Sequence, residues 1–131
     1  MVKIVHVAGP GNSGKTTSIK KYLEYHGIVI NHGGDVLLAL PIKRGSKSLV
    51  LGVASGGDTA NIVRRNFKFF MSTQCDVIVC ASKSRGGSFN EVGQQAQNMN
   101  STVHQIWTVP VSTGTDAACD KIADEIDQNV S

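Results

Sequence analysis

The sequence predicts a three-layer α/β/α domain with a mainly parallel central sheet of about five strands. Short apolar runs that suit buried strands alternate with segments in which apolar residues recur at helical spacing. The chain has 131 residues, close to the common size of one domain, so we expect residues 1–131 to form a single domain. Only 5% of the residues are aromatic, and we therefore expect an aliphatic core.

The first half of the chain contains one predicted helix between apolar runs. The residues Arg-Gly-Ser separate the last two of these apolar runs. The two runs form either a hairpin or two sheet strands joined by a loop. Pro41 suits an edge position, because proline cannot donate a ladder hydrogen bond. The predicted elements are strand 3–8, helix 15–26, a short strand at 27–31, and the apolar runs 35–43 and 47–55.

The second half alternates more regularly between helix and strand. The C-terminal helix is predicted to bury one stripe, with its acidic residues outside. The stripe consists of Ala118, Ile122, Ile126 and Val130. The elements before this helix are helix 59–72, strand 75–82, a polar helix at 88–99 and strand 104–111.

The strongest motif lies between the first strand and the first helix. Residues 9–16, Gly-Pro-Gly-Asn-Ser-Gly-Lys-Thr, match the pattern G-x-x-x-x-G-K-[ST] at every fixed position. Gly9, Gly11 and Gly14 allow a tight turn that points backbone N–H groups at a phosphate. The helix N-terminus directs its positive dipole end at the same anion. The alternative interpretation is a glycine-rich turn before a helix.

The side chains after the turn complete a predicted nucleotide site. Lys15 can reach the β- and γ-phosphates, and the Thr16 hydroxyl can bind Mg²⁺. Thr17 lies where a hydroxyl can meet the α-phosphate. The predicted binding residues are Gly9, Pro10, Gly11, Asn12, Ser13, Gly14, Lys15, Thr16 and Thr17.

Over residues 3–23 the chain resembles the P-loop NTPase superfamily. The resemblance implies a nucleoside triphosphate with Mg²⁺, bound at the C-terminal edge of the sheet. The stretch V-L-G-V-A-S-G-G-D, residues 50–58, is similar to the strand and glycine loop of shikimate-kinase-type small-molecule kinases. In that family the glycine loop lies against the phosphate acceptor. The chain has no obvious lid with paired arginines and lacks the acidic pair after the second strand, although Asp35 can contribute one acid.

The base preference follows from what Ras-like GTPases have and this chain lacks. Their D-x-x-G motif is replaced by residues 54–57, Ala-Ser-Gly-Gly, and the guanine-binding Asn-Lys-x-Asp is missing. Guanine specificity therefore has no visible basis, and ATP is favoured over GTP.

Asp58 is the candidate for the second acidic residue of such a site. Many relatives carry an aspartate at the end of the strand, where this chain has Ala54. Asp58 can reach the metal or the attacking group from the loop. It can also be the N-cap of a helix that begins at Thr59, a position that aspartate suits. The two roles can coexist, so both interpretations stay open.

A second basic loop follows the strand 75–82. Lys83 and Arg85 can stabilise phosphate charge or bind an anionic substrate, and Gly86 and Gly87 permit movement. We expect Arg85 to be the catalytic cation, and an anionic small-molecule acceptor near residues 55–58 and 83–87. The alternative is a flexible basic surface loop. His6 lies inside a strand pattern and is expected to be structural, and Trp107 is expected to pack in the sheet.

Charge and cysteine content restrict the partners and the compartment. The net charge is +3, and the basic residues concentrate at 43–85. Nucleic acid is an unlikely partner, because no aromatic residues interleave with these charges. No apolar run approaches the roughly 20 residues of a membrane span. Three cysteines without metal-ligand spacing fit a reducing cytoplasm.

Two functions are consistent with the motifs. The first is a magnesium-dependent NTPase or small-molecule phosphotransferase, with Lys15, Asp58 and Arg85 as catalytic residues and Thr16 and Asp58 at the metal. The second is a nucleotide-responsive switch with little or no turnover, which the displaced acidic residue favours.

Overall fold

The computed structural model describes residues 2–11, 13–31, 33–108 and 115–130. In these ranges the chain forms a five-stranded sheet and four helices, which we label in chain order. The strands are β1 (Lys3–Ala8), β2 (Leu37–Arg44), β3 (Lys47–Ala54), β4 (Val77–Ser82) and β5 (Thr102–Trp107). The helices are α1 (Lys15–Glu24), α2 (Ala60–Ser72), α3 (Gly87–Asn98) and α4 (Thr115–Val130).

The sheet has the strand order β2-β3-β4-β1-β5. Strand β1 is central to the parallel part and pairs in parallel with both β4 and β5. Strands β3 and β4 are also parallel, whereas β2 and β3 form an antiparallel hairpin. The predicted α/β class and the mainly parallel five-stranded sheet are therefore confirmed.

Two apolar clusters pack against alternating side chains of the sheet. Val5 and Val7 of β1 belong to a cluster that includes Ile19 of α1 and Ile126 of α4. Ile4 belongs to the other cluster, together with side chains of α2 and α3 such as Phe67 and Val92. Because successive strand residues point to opposite faces, the two helix pairs cover different faces of the sheet.

The hairpin alternative for the two adjacent apolar runs is confirmed. Its turn contains Gly45, whose φ of +64° is a left-handed conformation that glycine adopts without steric cost. Pro41 lies on the edge strand β2, as expected from its missing N–H group.

The predicted short strand at 27–31 is wrong. Gly27 has a φ of +77°, and the N–H of Ile28 donates to the carbonyl oxygen of Leu23 at 3.1 Å. These bonds end α1 with a turn, so the segment completes a helix terminus. Ile28 and Ile30 nevertheless pack against the core, which accounts for their apolar pattern.

The buried stripe of the C-terminal helix matches the prediction at Ile126 and Val130 and is displaced by one position in the first half of the helix. Ala118 is exposed, whereas Cys119 and Ala123 are buried together with Ile126 and Val130. Ile122 is partly buried at the margin. Strand β5 starts at Thr102 and ends at Trp107, and predicted strand residues 109–111 lie outside the described residues. None of the helices in the described ranges has the length and apolarity needed to cross a bilayer.

Candidate functional site

The loop between β1 and α1 presents an uncapped helix N-terminus. Gly14 occupies the N-cap position with a φ of +81°, and no side chain accepts a hydrogen bond from the first turn there. A β-carbon at Gly14 would also lie 2.9 Å from Cys119 Sγ. The backbone N–H groups of a helix terminus without a side-chain cap can bind an anion. Asn12, a predicted binding residue, lies outside the described residues.

The predicted phosphate loop, of which residues 9–11 and 13–14 are described, is anchored by the ends of the neighbouring strands. The N–H of Gly9 donates to the carbonyl oxygen of Ser82 at 3.3 Å. Ser13 Oγ lies 2.6 Å from Thr108 Oγ1, and both side chains are buried. A β-carbon at Gly9 would be only 1.8 Å from the same Thr108 oxygen, so this position requires glycine. No sequence pattern singles out Thr108, because the contact depends on how β5 pairs with β1.

Lys15 lies over the start of the phosphate loop. Its Nζ donates to the carbonyl oxygens of Gly9, at 2.7 Å, and Pro10, at 2.8 Å. Burial lowers the pKa of this ammonium group; nearby Asp58 opposes the shift and Lys83 adds to it. The hydrogen-bond partners of the cation are thus neutral carbonyl groups.

A polar cavity of about 340 Å³ lies beside this ammonium group. It brings Lys15, Thr16 and Thr17 together with Asp58, as the sequence predicted, and adds Asp35. Thr16 Oγ1 lies 3.5 Å from Asp35 Oδ1, at the limit of a hydrogen bond. The other residues that line the cavity are Gly11, Ser13, Gly14, Ser55 and Gly57.

Asp35 reaches this cavity because the segment before β2 is bound to the loop after β3. The N–H of Val36 donates to Ser55 Oγ at 2.7 Å, and the N–H of Ser55 donates to the carbonyl oxygen of Val36 at 2.9 Å. A β-carbon at Gly56 would be 2.9 Å from Asp35 Oδ2. The sequence identified Asp35 only as one possible acid. Its position beside Ser55 depends on the register of the β2–β3 hairpin, which sequence patterns do not determine.

The loop after β3, residues 55–58, also packs tightly against β4. A β-carbon at Gly57 would lie 1.9 Å from the carbonyl oxygen of Ala81. Asn66 of α2 holds the loop from the other side, donating to the carbonyl oxygen of Gly56 at 2.9 Å. These contacts position the exposed Asp58 at the cavity.

The interpretation of Asp58 as a helix cap is wrong. The N-cap of α2 is Thr59, whose hydroxyl accepts a hydrogen bond from the N–H of Ile62 at 3.2 Å. The helix begins at Ala60, one residue later than predicted. Aspartate and threonine are both good caps, so adjacent positions could not be separated from sequence. Asp58 lies one residue before the cap, so it does not cap α2. It lines the cavity instead.

The basic loop after β4 contributes two exposed cations. The N–H of Lys83 donates to Ser88 Oγ at 3.1 Å, which fixes the first residue of the loop. Arg85 is exposed and is not among the described residues that line the cavity. Its catalytic role stays a prediction.

His6 is a structural histidine in this arrangement. It is 2% exposed, and its Nε2 lies 2.7 Å from Ser82 Oγ. Burial lowers its pKa to about 4, although a hydrogen bond with the Gln105 side chain opposes the shift. The ring contacts Phe89, which stacks on Trp107. Trp107 is 54% exposed, so it packs against α3 at the sheet edge rather than inside the core.

The site has the donors and acceptors that magnesium and phosphate require. Mg²⁺ is usually held by one or two carboxylates together with waters and substrate phosphates, and Asp35, Asp58 and the Thr16 hydroxyl fit that requirement. The described residues contain no cluster of three or more His, Cys, Asp or Glu side chains for a metal held by protein alone.

Comparison with known proteins identifies no family for this chain. No protein-family model matches the sequence, and no curated protein matches it significantly. The chemistry of the site therefore has to support any functional assignment.

Proposed function

We propose that this protein binds a magnesium nucleoside triphosphate at the phosphate loop of a three-layer P-loop NTPase-like fold. One observation carries the proposal: an ammonium group, a hydroxyl and two carboxylates line one cavity at an uncapped helix N-terminus. These groups are those of Lys15, Thr16, Asp35 and Asp58. The positive groups suit phosphate oxygens, and the oxygen ligands suit Mg²⁺.

Each side chain then has a definite task. Lys15 exchanges its two loop carbonyls for β- and γ-phosphate oxygens, and Gly11, Ser13 and Gly14 contribute backbone N–H groups. Thr16 and Asp58 hold the metal and its water shell, with Asp35 beside them. When bound, Mg²⁺ would neutralise part of the negative charge that develops on the phosphate oxygens.

The reaction that follows is hydrolysis or phosphoryl transfer to an anionic small molecule. Asp58 orients the attacking hydroxyl or water from the loop that packs on β4. Arg85 is the candidate for charge stabilisation from the loop after β4. ATP is the preferred nucleotide, because the sequence contains no Asn-Lys-x-Asp motif for guanine.

A specific observation favours the switch as the second candidate. Strand β4, which lies directly beside β1, ends at Ser82 and is followed by Lys83, so no acidic residue lies at that point. Both carboxylates of the site come from loops instead. In such a site, nucleotide binding can change the conformation of the loops that carry Asp35 and Asp58 without hydrolysis of the nucleotide.

Phosphate release from Mg·ATP and Mg·GTP separates these functions. We expect release by the wild type, its loss in Lys15→Ala, and wild-type release in Lys21→Ala. Lys21 is the matched control, because it lies on the same helix but does not line the cavity. Its ammonium group pairs with Asp120 at 3.2 Å. Release that persists in Lys15→Ala would contradict the proposal. Nucleotide binding without release, with nucleotide-dependent protection from proteolysis, would support the switch.

A further inference from the structure

The end of β4 lies directly beside the start of the phosphate loop. In the parallel register Ala8 is opposite Ser82, and the N–H of Gly9 donates to the carbonyl oxygen of Ser82. Lys83 is the next residue. It therefore leaves the sheet beside Gly9, whose carbonyl oxygen holds the ammonium group of Lys15.

The backbone of Lys83 is held in place although its side chain is exposed. Its N–H donates to Ser88 Oγ of α3 at 3.1 Å, and its carbonyl oxygen accepts from Ser82 Oγ at 2.7 Å. Gly57 packs on the adjoining Ala81 carbonyl, so the loop that carries Asp58 meets the same strand end. The base of this side chain is thus fixed between the phosphate loop and residues 55–58.

Charges of both signs act on Lys15 at this strand end, since Asp58 attracts its ammonium group and Lys83 repels it. Lys83 adds positive charge close to Lys15, whose hydrogen-bond partners are carbonyl groups. In the part of the chain that the structure describes, Lys83 forms none of the ion pairs found there. Like charges held close together are unfavourable unless an anion joins them. Lys83 is not among the described residues that line the cavity, so its exposed side chain would have to turn toward a phosphate chain bound at Lys15.

We propose that Lys83 supplies the second ammonium group for the terminal phosphate and makes the site prefer triphosphates to diphosphates. The proposal rests on the proposed function and specifies which phosphate Lys83 contacts. Lys83 flanks the start of the loop at Gly9 and Pro10, where Lys15 lies. Thr17, expected at the α-phosphate, is in the first turn of α1. The γ-phosphate, which a diphosphate lacks, is therefore the group within reach of Lys83.

The test is the affinity ratio between a non-hydrolysable Mg·ATP analogue and Mg·ADP, measured by calorimetric titration. A charge-assisted hydrogen bond to phosphate is worth enough to change affinity about tenfold. We expect Lys83→Ala to weaken analogue binding by about that factor and to leave ADP binding unchanged. Lys83→Arg should restore most of the ratio, and Lys68→Ala, which removes an exposed cation of α2, should retain it.

The possible results separate this proposal from the one on which it rests. If the wild type binds both nucleotides and Lys83→Ala leaves the ratio unchanged, the role of Lys83 is wrong while nucleotide binding stands. An equal loss of affinity for both nucleotides also contradicts it, since that pattern indicates general attraction or loss of structure. If the wild type binds neither nucleotide, both proposals fail.

Discussion

Lys15 and Arg44 lie at opposite ends of the sheet and have different kinds of hydrogen-bond partner. At the end where the polar cavity lies, which we call the phosphate end, Lys15 donates to two neutral carbonyl groups. Asp58 is exposed at the same cavity. At the other end, beside the β2–β3 turn, Arg44 pairs with Asp127 of α4 at 3.4 Å. There Tyr22 OH also lies 2.8 Å from His26 Nε2.

The contrast between Lys15 and Arg44 supports the cavity end as the proposed ligand site. Charges that are paired within the fold have little to offer a partner, whereas a partly buried cation held by carbonyl groups gains when an anion arrives. The phosphate end also has glycines at positions where a side chain would collide with the backbone. The following predictions compare equivalent changes at the two ends.

Glycine substitution should distinguish the ends most strongly. A β-carbon at Gly57 would meet the carbonyl oxygen of Ala81 at 1.9 Å, so the loop must shift, and we expect Gly57→Ala to cost about 3 kcal/mol. At the other end, Gly45 has open space and only its φ of +64° to resist a side chain. Gly45→Ala should cost about 1 kcal/mol. Urea denaturation measures both, and equal costs would show that the phosphate end is not tightly packed.

Protonation of His6 should destabilise the fold beneath the phosphate loop. Its pKa is about 4 in the folded protein and 6.5 in the reference state, because burial disfavours the imidazolium. The folded form binds this proton less tightly than the unfolded chain, so stability is full above pH 6.5 and is lost as the pH falls toward 4. Between pH 7 and 5 the loss from this group should be about 2 kcal/mol.

The control for this prediction is His6→Gln, which removes the titrating group. Denaturation of both proteins at pH 7 and pH 5 isolates the contribution of His6, since His26 and the carboxylates are common to both. The wild type should lose more stability than the variant over this interval. An equal loss in the two proteins would show that His6 does not resist protonation.

Removing one carboxylate from each end should have opposite consequences. Asp127→Asn leaves the half-buried Arg44 without its acidic partner and should cost about 1 kcal/mol of stability. Asp58→Asn removes an exposed acid that does not cap α2, so we expect almost no change in stability but about tenfold weaker nucleotide-dependent Mg²⁺ binding. Thermal denaturation and metal titration with ATP present measure the two effects. A stability loss in Asp58→Asn without a metal effect would make this residue structural.

The parts of the site that the sequence predicted are close together in the chain. The phosphate-loop pattern needs only closely spaced glycines, a lysine and a hydroxyl, and these features lie within residues 9–16. The alternation of strand and helix patterns predicted the α/β class for the same reason. Local spacing determines these features, so they are visible in a linear sequence.

The positions that sequence patterns left open or assigned wrongly depend on tertiary register. Asp35 reaches the cavity only because Val36 pairs with Ser55, and Lys83 lies beside Gly9 only because β4 is next to β1. Thr59 replaces Asp58 as the cap by a shift of one residue, which propensity cannot resolve. The order of parallel strands is likewise set by packing between distant segments.

The most direct test of the nucleotide site is a calorimetric titration of Mg·ATP into the wild type, Lys15→Ala and Lys21→Ala. We expect saturable binding by the wild type and by Lys21→Ala. Removal of the Lys15 ammonium group should weaken binding at least about 100-fold, because its bonds to charged phosphate oxygens are lost. Absence of binding by the wild type, or equal affinities of the wild type and Lys15→Ala, would contradict a nucleotide site at this loop.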